Sequence, residues 1–262
     1  MNTVRAEELL KRCTEENKLQ ISLRRHIHRV DNYVIKIDLS AEEPDFYGDL
    51  NDPRITRLLS ENAKEATALV SKYTSIPVPS FVRDGIYRCV DGISRYYSIW
   101  DYIEGVSLED VWATISTGKK LELLCQLRSF IVQLKNIPNP HPQRFAVGTF
   151  CSTGELLNYP GNPADGESFW RNNGPFGSAE DYRNKVKLLY GYDPGFPLHG
   201  RAVFDHMDWF TCNVLVDSNA DNVVGLLDWE KAGFIPDPRD NFVRGATLEA
   251  KRRNEWLTLF DD

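Results

Sequence analysis

No stretch of the 262-residue chain approaches 18 consecutive apolar residues, so no membrane-spanning helix is expected. The first residues, MNTVRAEELLKRC, are polar and helical in pattern and lack the apolar core of a secretory signal. The five cysteines, at 13, 89, 125, 151 and 212, are odd in number and no pair has CxxC spacing, so reduced core thiols in a reducing compartment are expected. Together these absences predict a cytoplasmic chain with no membrane partner. Basic residues form no stripe. Lys and Arg number 31 against 38 Asp and Glu, for a net charge of −7, and the pI is near 5.4. That balance argues against nucleic acid and anionic surfaces and is compatible with a cationic or amine-bearing ligand. There is no internal repeat, and the β-rich stretch LRRHIHRVDN contains no glycine.

What is present suits one large domain or two small ones: 42% hydrophobic and 26% charged residues are ordinary globular usage. Residues 3–16 predict a short helix. Residues 19–39 predict strands with a turn at VDN, and alternation in YVIKIDL puts Val34, Lys36 and Asp38 on one face. SENAKEATALVSKY predicts a helix capped by Ser60, ending before the two prolines of IPVPSF. Residues 86–103 predict two strands joined at DG. Ser107-x-x-Asp110 and Ser178-x-x-Asp181 each predict a helix start, and KKLELLCQLRSFIVQLKNI an amphipathic helix between them. Residues 137–177 are rich in Pro, Gly and Asn and predict a substrate loop. Short strands are expected in AVFDH, NVLVD and VVGLLD, and a helix in ATLEAKRRNEWLTLF. A β-rich first part and a helix-rich remainder predict an α+β, bilobal chain, with lobes at 1–103 and 104–262 and the joint in WDYIEG.

The chemistry concentrates in HMDWFTCN and VVGLLDWEKAGF. A hairpin joining NVLVD to VVGLLD would bring Asn213 and Asp228 together, with Asp208 nearby. An amide oxygen and a carboxylate suit a hard cation such as magnesium, which completes its octahedron with water and phosphate oxygens. A further carboxylate can orient a hydroxyl and accept its proton. Phosphoryl transfer also needs a cation on the phosphates, and Lys36 in mid-strand, with Glu65 on the following helix, fits that need.

These segments resemble the aminoglycoside phosphotransferase and choline-kinase-like branch of the protein-kinase-like fold, in a form common among fungal proteins. The matching pieces are VIKI with Lys36, ENAKEATAL with Glu65, SIPVPSF, SIWDYIEGVSLEDVW, NNGPFGSAEDY, HMDWFTCNVLVD and VVGLLDWEKAGFIPDPRD. The resemblance implies that Lys36 contacts the nucleotide phosphates with Glu65 as its partner. It implies that the backbone from Asp101 through Tyr102 to Ile103 holds the purine edge of ATP or GTP. Asp208 becomes the catalytic base, His206 the brace of its loop, Asn213 and Asp228 the Mg2+ ligands, and Asp240 a support for the loop backbone. The partner implied is a small hydroxyl-bearing acceptor, and a monomer is expected.

Three departures qualify that pattern. Met207 stands where the family has glycine, which strains the backbone if φ is positive there. No glycine-rich loop is present, which leaves Arg24, Arg25, His26 or His28 as candidate phosphate covers. Only 22 residues follow Asp240, so the acceptor site is expected to be small, open or built from residues 137–177. Plainer readings exist as well: Lys36 as an edge-strand lysine, Arg24 and Arg25 as a solvated edge, His26 and His28 as surface histidines, and Cys212 as a packing residue. A nucleotide-binding pseudokinase, or a kinase fold turned to other chemistry in secondary metabolism, are the alternative functions.

Overall fold

The computed structural model describes residues 6–22, 25–40, 53–139 and 202–236, with isolated positions between 157 and 187. Most of the 137–177 segment, the final helix, Arg24, Cys151 and Asp240 lie outside the described residues. The chain divides into two units, residues 1–60 with 79–104, and residues 61–78 with 105–262.

The first unit is built on a sheet. After helix α1 (Ala6–Lys11) come strands β1 (Lys18–Ser22), β2 (Arg25–Val30) and β3 (Tyr33–Asp38). Helix α2 (Pro53–Tyr73) then leads to β4 (Phe81–Arg88) and β5 (Ser94–Asp101). The sheet order is β1-β2-β3-β5-β4, with every pair antiparallel. β3 is therefore central and hydrogen-bonded on both sides, which removes the edge-strand explanation of Lys36. Alternation sends Ile35 and Ile37 into a core with Ala6, Leu9, Leu10, Val30, Tyr97 and Ile99. Lys36 takes the opposite face, between Ile27 and Ser98 in register. The β2–β3 turn uses Asp31 at φ 55°, and the β4–β5 turn uses Gly92 at φ 81°.

Two expectations fail here. Ser60 is not an N-cap. The helix begins at Pro53, whose missing N–H costs nothing in a first helical turn. Ser60 is buried within α2, and its hydroxyl accepts from Arg25 Nη2 at 3.1 Å. Arg25 is neither a solvated edge nor free for phosphate. It pairs with Asp38 at 2.7 Å, with both side chains 5% exposed, and donates to the Thr56 carbonyl at 3.0 Å.

The second unit begins within α2, where Ala63, Ala66 and Val70 recur at helical spacing and are buried. β6 (Val106–Ser107) runs into α3 (Leu108–Val111), with Ser107 accepting from the Glu109 N–H at 3.3 Å. Helix α4 (Thr117–Lys135) buries Leu123, Leu124, Leu127, Phe130 and Leu134. Short strands β7 (Leu157–Asn158) and β8 (Arg171–Asn172) pair with each other. β9 (Ala202–Asp205) pairs with β12 (Gly233–Pro236). β10 (Val214–Val216) pairs with β11 (Val223–Leu226) on one side and with β6 on the other. A Cβ at Gly105 would lie 2.8 Å from Val224 Cγ2 and 3.0 Å from the Val216 carbonyl, so only glycine passes this close to the hairpin. The β10–β11 turn is closed by Asp217, which accepts from the N–H groups of Asn219 and Asp221, and Gln126 of α4 donates to the Asp221 carbonyl at 2.8 Å.

Candidate active site

The loop from β9 to β10 is held by side chains that point back into its own backbone. Asp205, buried at the end of β9, accepts on Oδ1 from the Met207 N–H at 2.8 Å and from Trp209 Nε1 at 2.9 Å. His206 is fully buried. Its Nε2 donates to the Leu227 carbonyl at 2.7 Å, and its Nδ1 accepts from the Asp208 N–H at 3.2 Å. These partners fix one neutral tautomer. Burial lowers the His206 pKa below the ordinary imidazole value, against the opposing field of Asp208. The ring meets Trp229 edge-on at 4.5 Å. His206 thus ties the loop to the segment carrying Asp228.

Between those two histidine contacts the chain turns at Met207 with φ 60°. This is the left-handed conformation the departure from glycine put in question, and a methionine occupies it with its side chain partly exposed. Asp228, two residues past the end of β11, has φ 62° and is also left-handed.

Asp208 is buried, and both its carboxylate oxygens are engaged. Oδ1 accepts from Lys231 Nζ at 2.9 Å. Oδ2 accepts from Asn213 Nδ2 at 3.1 Å, and the same amide nitrogen donates to the Asp208 carbonyl at 2.9 Å. With Nδ2 committed, the Asn213 amide turns its oxygen away from Asp208. The register Val214↔Leu226 and the bond from the Leu227 N–H to the Asn213 carbonyl, at 2.8 Å, set the Asn213 and Asp228 backbones side by side. One amide oxygen and one carboxylate fit a magnesium site completed by water and phosphate, not a protein-only cage. Among the described residues no cluster of three or more His, Cys, Asp or Glu forms such a cage.

The remaining sequence candidates are carried by other elements. Lys36 is half-buried in mid-β3. Glu65 is exposed on α2, one turn after Glu61. Its carboxyl is held above the usual range by desolvation and then by the Glu61 charge. Of the three purine-edge candidates, the Asp101 N–H is taken by the Ser80 carbonyl at 2.9 Å and the Tyr102 N–H by the Asn32 carbonyl at 2.8 Å. That narrows the available donors to Ile103. The Tyr102 ring carries the Arg29 guanidinium at 3.7 Å. His28 is buried, with Nδ1 against the Thr14 carbonyl at 3.1 Å. It is not a surface histidine, and its Nδ1 is engaged within the first unit. Cys212 is exposed rather than a buried packing residue.

Sequence reasoning missed three contributors. Lys231 sits in a short helical turn, Trp229–Lys231, directly after Asp228. Asn62 of α2 is fully buried and donates to the Glu230 and Ala232 carbonyls, each at 2.9 Å, so it clamps the backbone on either side of Lys231. Asp205 is the third. Its signal was present, because an aspartate ending an apolar strand just before a polar loop must find donors.

One unit built on a five-stranded antiparallel sheet and a second of helices and short strands have the α+β, bilobal architecture of the protein-kinase-like class. The chain belongs to the phosphotransferase enzyme family, whose model matches residues 31–236. No curated protein matches it. Among solved structures it is similar to the GDP complex of aminoglycoside 2'-phosphotransferase-IIIa, with 16% identity, TM-score 0.55, and coverage of 99% of this chain and 88% of that one. It is similar to the streptomycin–ATP ternary complex of APH(2")-IIa, with 14% identity, TM-score 0.53, and coverage of 91% and 73%. The GDP and kanamycin complex of APH(2")-IIia matches with 16% identity, TM-score 0.54, and coverage of 87% and 72%.

Proposed function

We propose that the protein transfers the γ-phosphoryl group of ATP or GTP to a hydroxyl of a small metabolite, with Asp208 as the base. The observation that supports this reading is the buried hydrogen bonding of Asp208 to Asn213, together with the Leu227 N–H to Asn213 carbonyl bond that runs the backbone just before Asp228 alongside Asn213. Asp208 would hold the acceptor hydroxyl and take its proton as the oxygen bonds to the γ-phosphorus. The bond from that phosphorus to the β,γ-bridging oxygen breaks in the same step, and the nucleoside diphosphate leaves. Asn213 Oδ1 and the Asp228 carboxylate would hold Mg2+, which supplies charge neutralisation on the β- and γ-phosphates when bound. Lys36 would contact the phosphates, with Glu65 as its partner, and the backbone at Ile103 would meet the purine edge. His206 would keep the loop in place as a neutral brace.

Thermal unfolding with ATP or GTP, with and without magnesium, tests the reading. Stabilisation by either nucleotide should require magnesium and should vanish in Asp228→Asn, whose fold is expected to survive. Ligand at a hundredfold excess over Kd is worth about 2.7 kcal/mol. Magnesium dependence unchanged in Asp228→Asn would refute the ligand assignment. Nucleotide binding with no phosphate leaving it would favour the pseudokinase alternative.

A further inference from the structure

We infer that Lys231 is a positioning residue for the phosphoryl-transfer step, holding the Asp208 carboxylate in the orientation that receives the acceptor hydroxyl. The inference rests on the phosphotransferase reading above and adds a residue to it. Its ground is geometric. Among the described residues Lys231 is the one cation that meets Asp208, with Nζ 2.9 Å from Oδ1. The ion pair joins positions 23 residues apart. It forms because Asp228 turns left-handed and the next three residues coil back toward the loop. Asn62 then fixes the carbonyls on both sides of Lys231.

The pair is not a surface ornament. The Asp208 side chain is 7% exposed and that of Lys231 is 23% exposed. The carboxylate is shielded while the lysine side chain keeps partial exposure. A carboxylate gripped on Oδ1 by an ammonium and on Oδ2 by the Asn213 amide has no rotational freedom about its terminal bond. Each oxygen keeps a second lone pair, so one can still accept a hydroxyl proton. Asn213 would do double duty, holding Asp208 through nitrogen and metal through oxygen. Lys231 would hold the other oxygen independently of Asn213. Misplacing a reacting group by about 1 Å costs on the order of 10²-fold in rate.

The test is phosphate release from ATP and from GTP with magnesium, water being the acceptor, for wild type, Lys231→Met, Lys231→Arg, Asp208→Asn and the Lys231→Met/Asp208→Asn double variant. Lys231→Met should lower kcat by about 10²-fold with KM for nucleotide unchanged, the signature of an interaction made only in the transition state. Lys231→Arg should recover part of the loss. In the Asp208→Asn background Lys231→Met should cost nothing further, because it acts through that carboxylate. Full kcat in Lys231→Met, or an equal loss in both backgrounds, would overturn the proposal while leaving the phosphotransferase reading intact. If Lys231→Met fails to fold, Lys231→Gln, which keeps a donor without the charge, carries the same comparison. Wild-type protein that releases phosphate from neither nucleotide in water and transfers none to an added sugar or amino-alcohol hydroxyl would remove the phosphotransferase reading and the Lys231 role with it.

Discussion

Replacing Met207 by glycine should stabilise the protein, although it deletes a side chain. The residue has φ 60°, a conformation that costs an L-residue about 1–2 kcal/mol and glycine almost nothing. Against this, glycine loses about 0.4–1 kcal/mol more conformational entropy on folding. The Met207 side chain is 36% exposed, so the packing it gives up is partial. The terms leave a net gain of about 0.5 kcal/mol for Met207→Gly. Alanine separates the causes. Met207→Ala loses the same packing and keeps the strain, so glycine should exceed alanine by about 1 kcal/mol. Urea unfolding of the three proteins, read by tryptophan fluorescence, measures the difference. Thermal midpoints should move by about 2–4 °C per kcal/mol in a chain of this size. Alanine equal to or more stable than glycine would show that no strain is stored at this turn.

Arg25→Met should cost about 3–5 kcal/mol, because the Asp38 carboxylate is left buried without its guanidinium. Adding Asp38→Leu should recover much of that, and urea midpoints read both. Stability should fall with acid through two buried imidazoles. Burial lowers the folded pKa of His206, and of His28, below the 6.5 of a free imidazole. The unfolded chain therefore binds protons first, so stability is complete above about pH 6.5 and declines as pH drops below it, at up to about 1.4 kcal/mol per pH unit per group. Denaturation midpoints from about pH 7.5 to 5.5 should show the decline, and His206→Gln should lessen its slope. Asn62→Ala should lose about 1–3 kcal/mol, because the Glu230 and Ala232 carbonyls lose their donor, and urea unfolding measures it.

The parts of the fold that were legible in the sequence are those set by local pattern. Alternation in YVIKID places Ile35 and Ile37 inside and Lys36 on the other face. The spacing of Asn213 and Asp228 around two short apolar runs foretells the hairpin that joins them. Other features were written in the sequence but need the register to be read. A two-residue turn at Asp31 and Asn32 pairs Arg25 with Asp38 across β2 and β3, so the buried ion pair follows from the VDN turn once the strands are counted back from it. Pro53 marks the true start of α2 by the first-turn rule, where Ser60 merely mimicked a cap. Lys231 and Asn62 had no such signal. Their partners lie 23 and about 170 positions away, brought near by the left-handed turn at Asp228 and the packing of a helix, and no local period encodes either. Short strand β12 was hidden for the same reason, since Gly233–Pro236 is a strand only because β9 is there to pair with it.

The most direct measurement is the mass of a hydroxyl acceptor after incubation with the protein, magnesium and ATP or GTP, across a panel that includes sugars, amino-alcohols and kanamycin. The account predicts at least one acceptor gaining one phosphate in step with nucleoside diphosphate formation. It predicts that Asp208→Asn lowers the rate by roughly 10²-fold or more while binding nucleotide as well as wild type. Phosphate transfer at an undiminished rate in Asp208→Asn would contradict the assignment of the base. An acceptor altered without gaining phosphate would show that the kinase fold here serves another reaction.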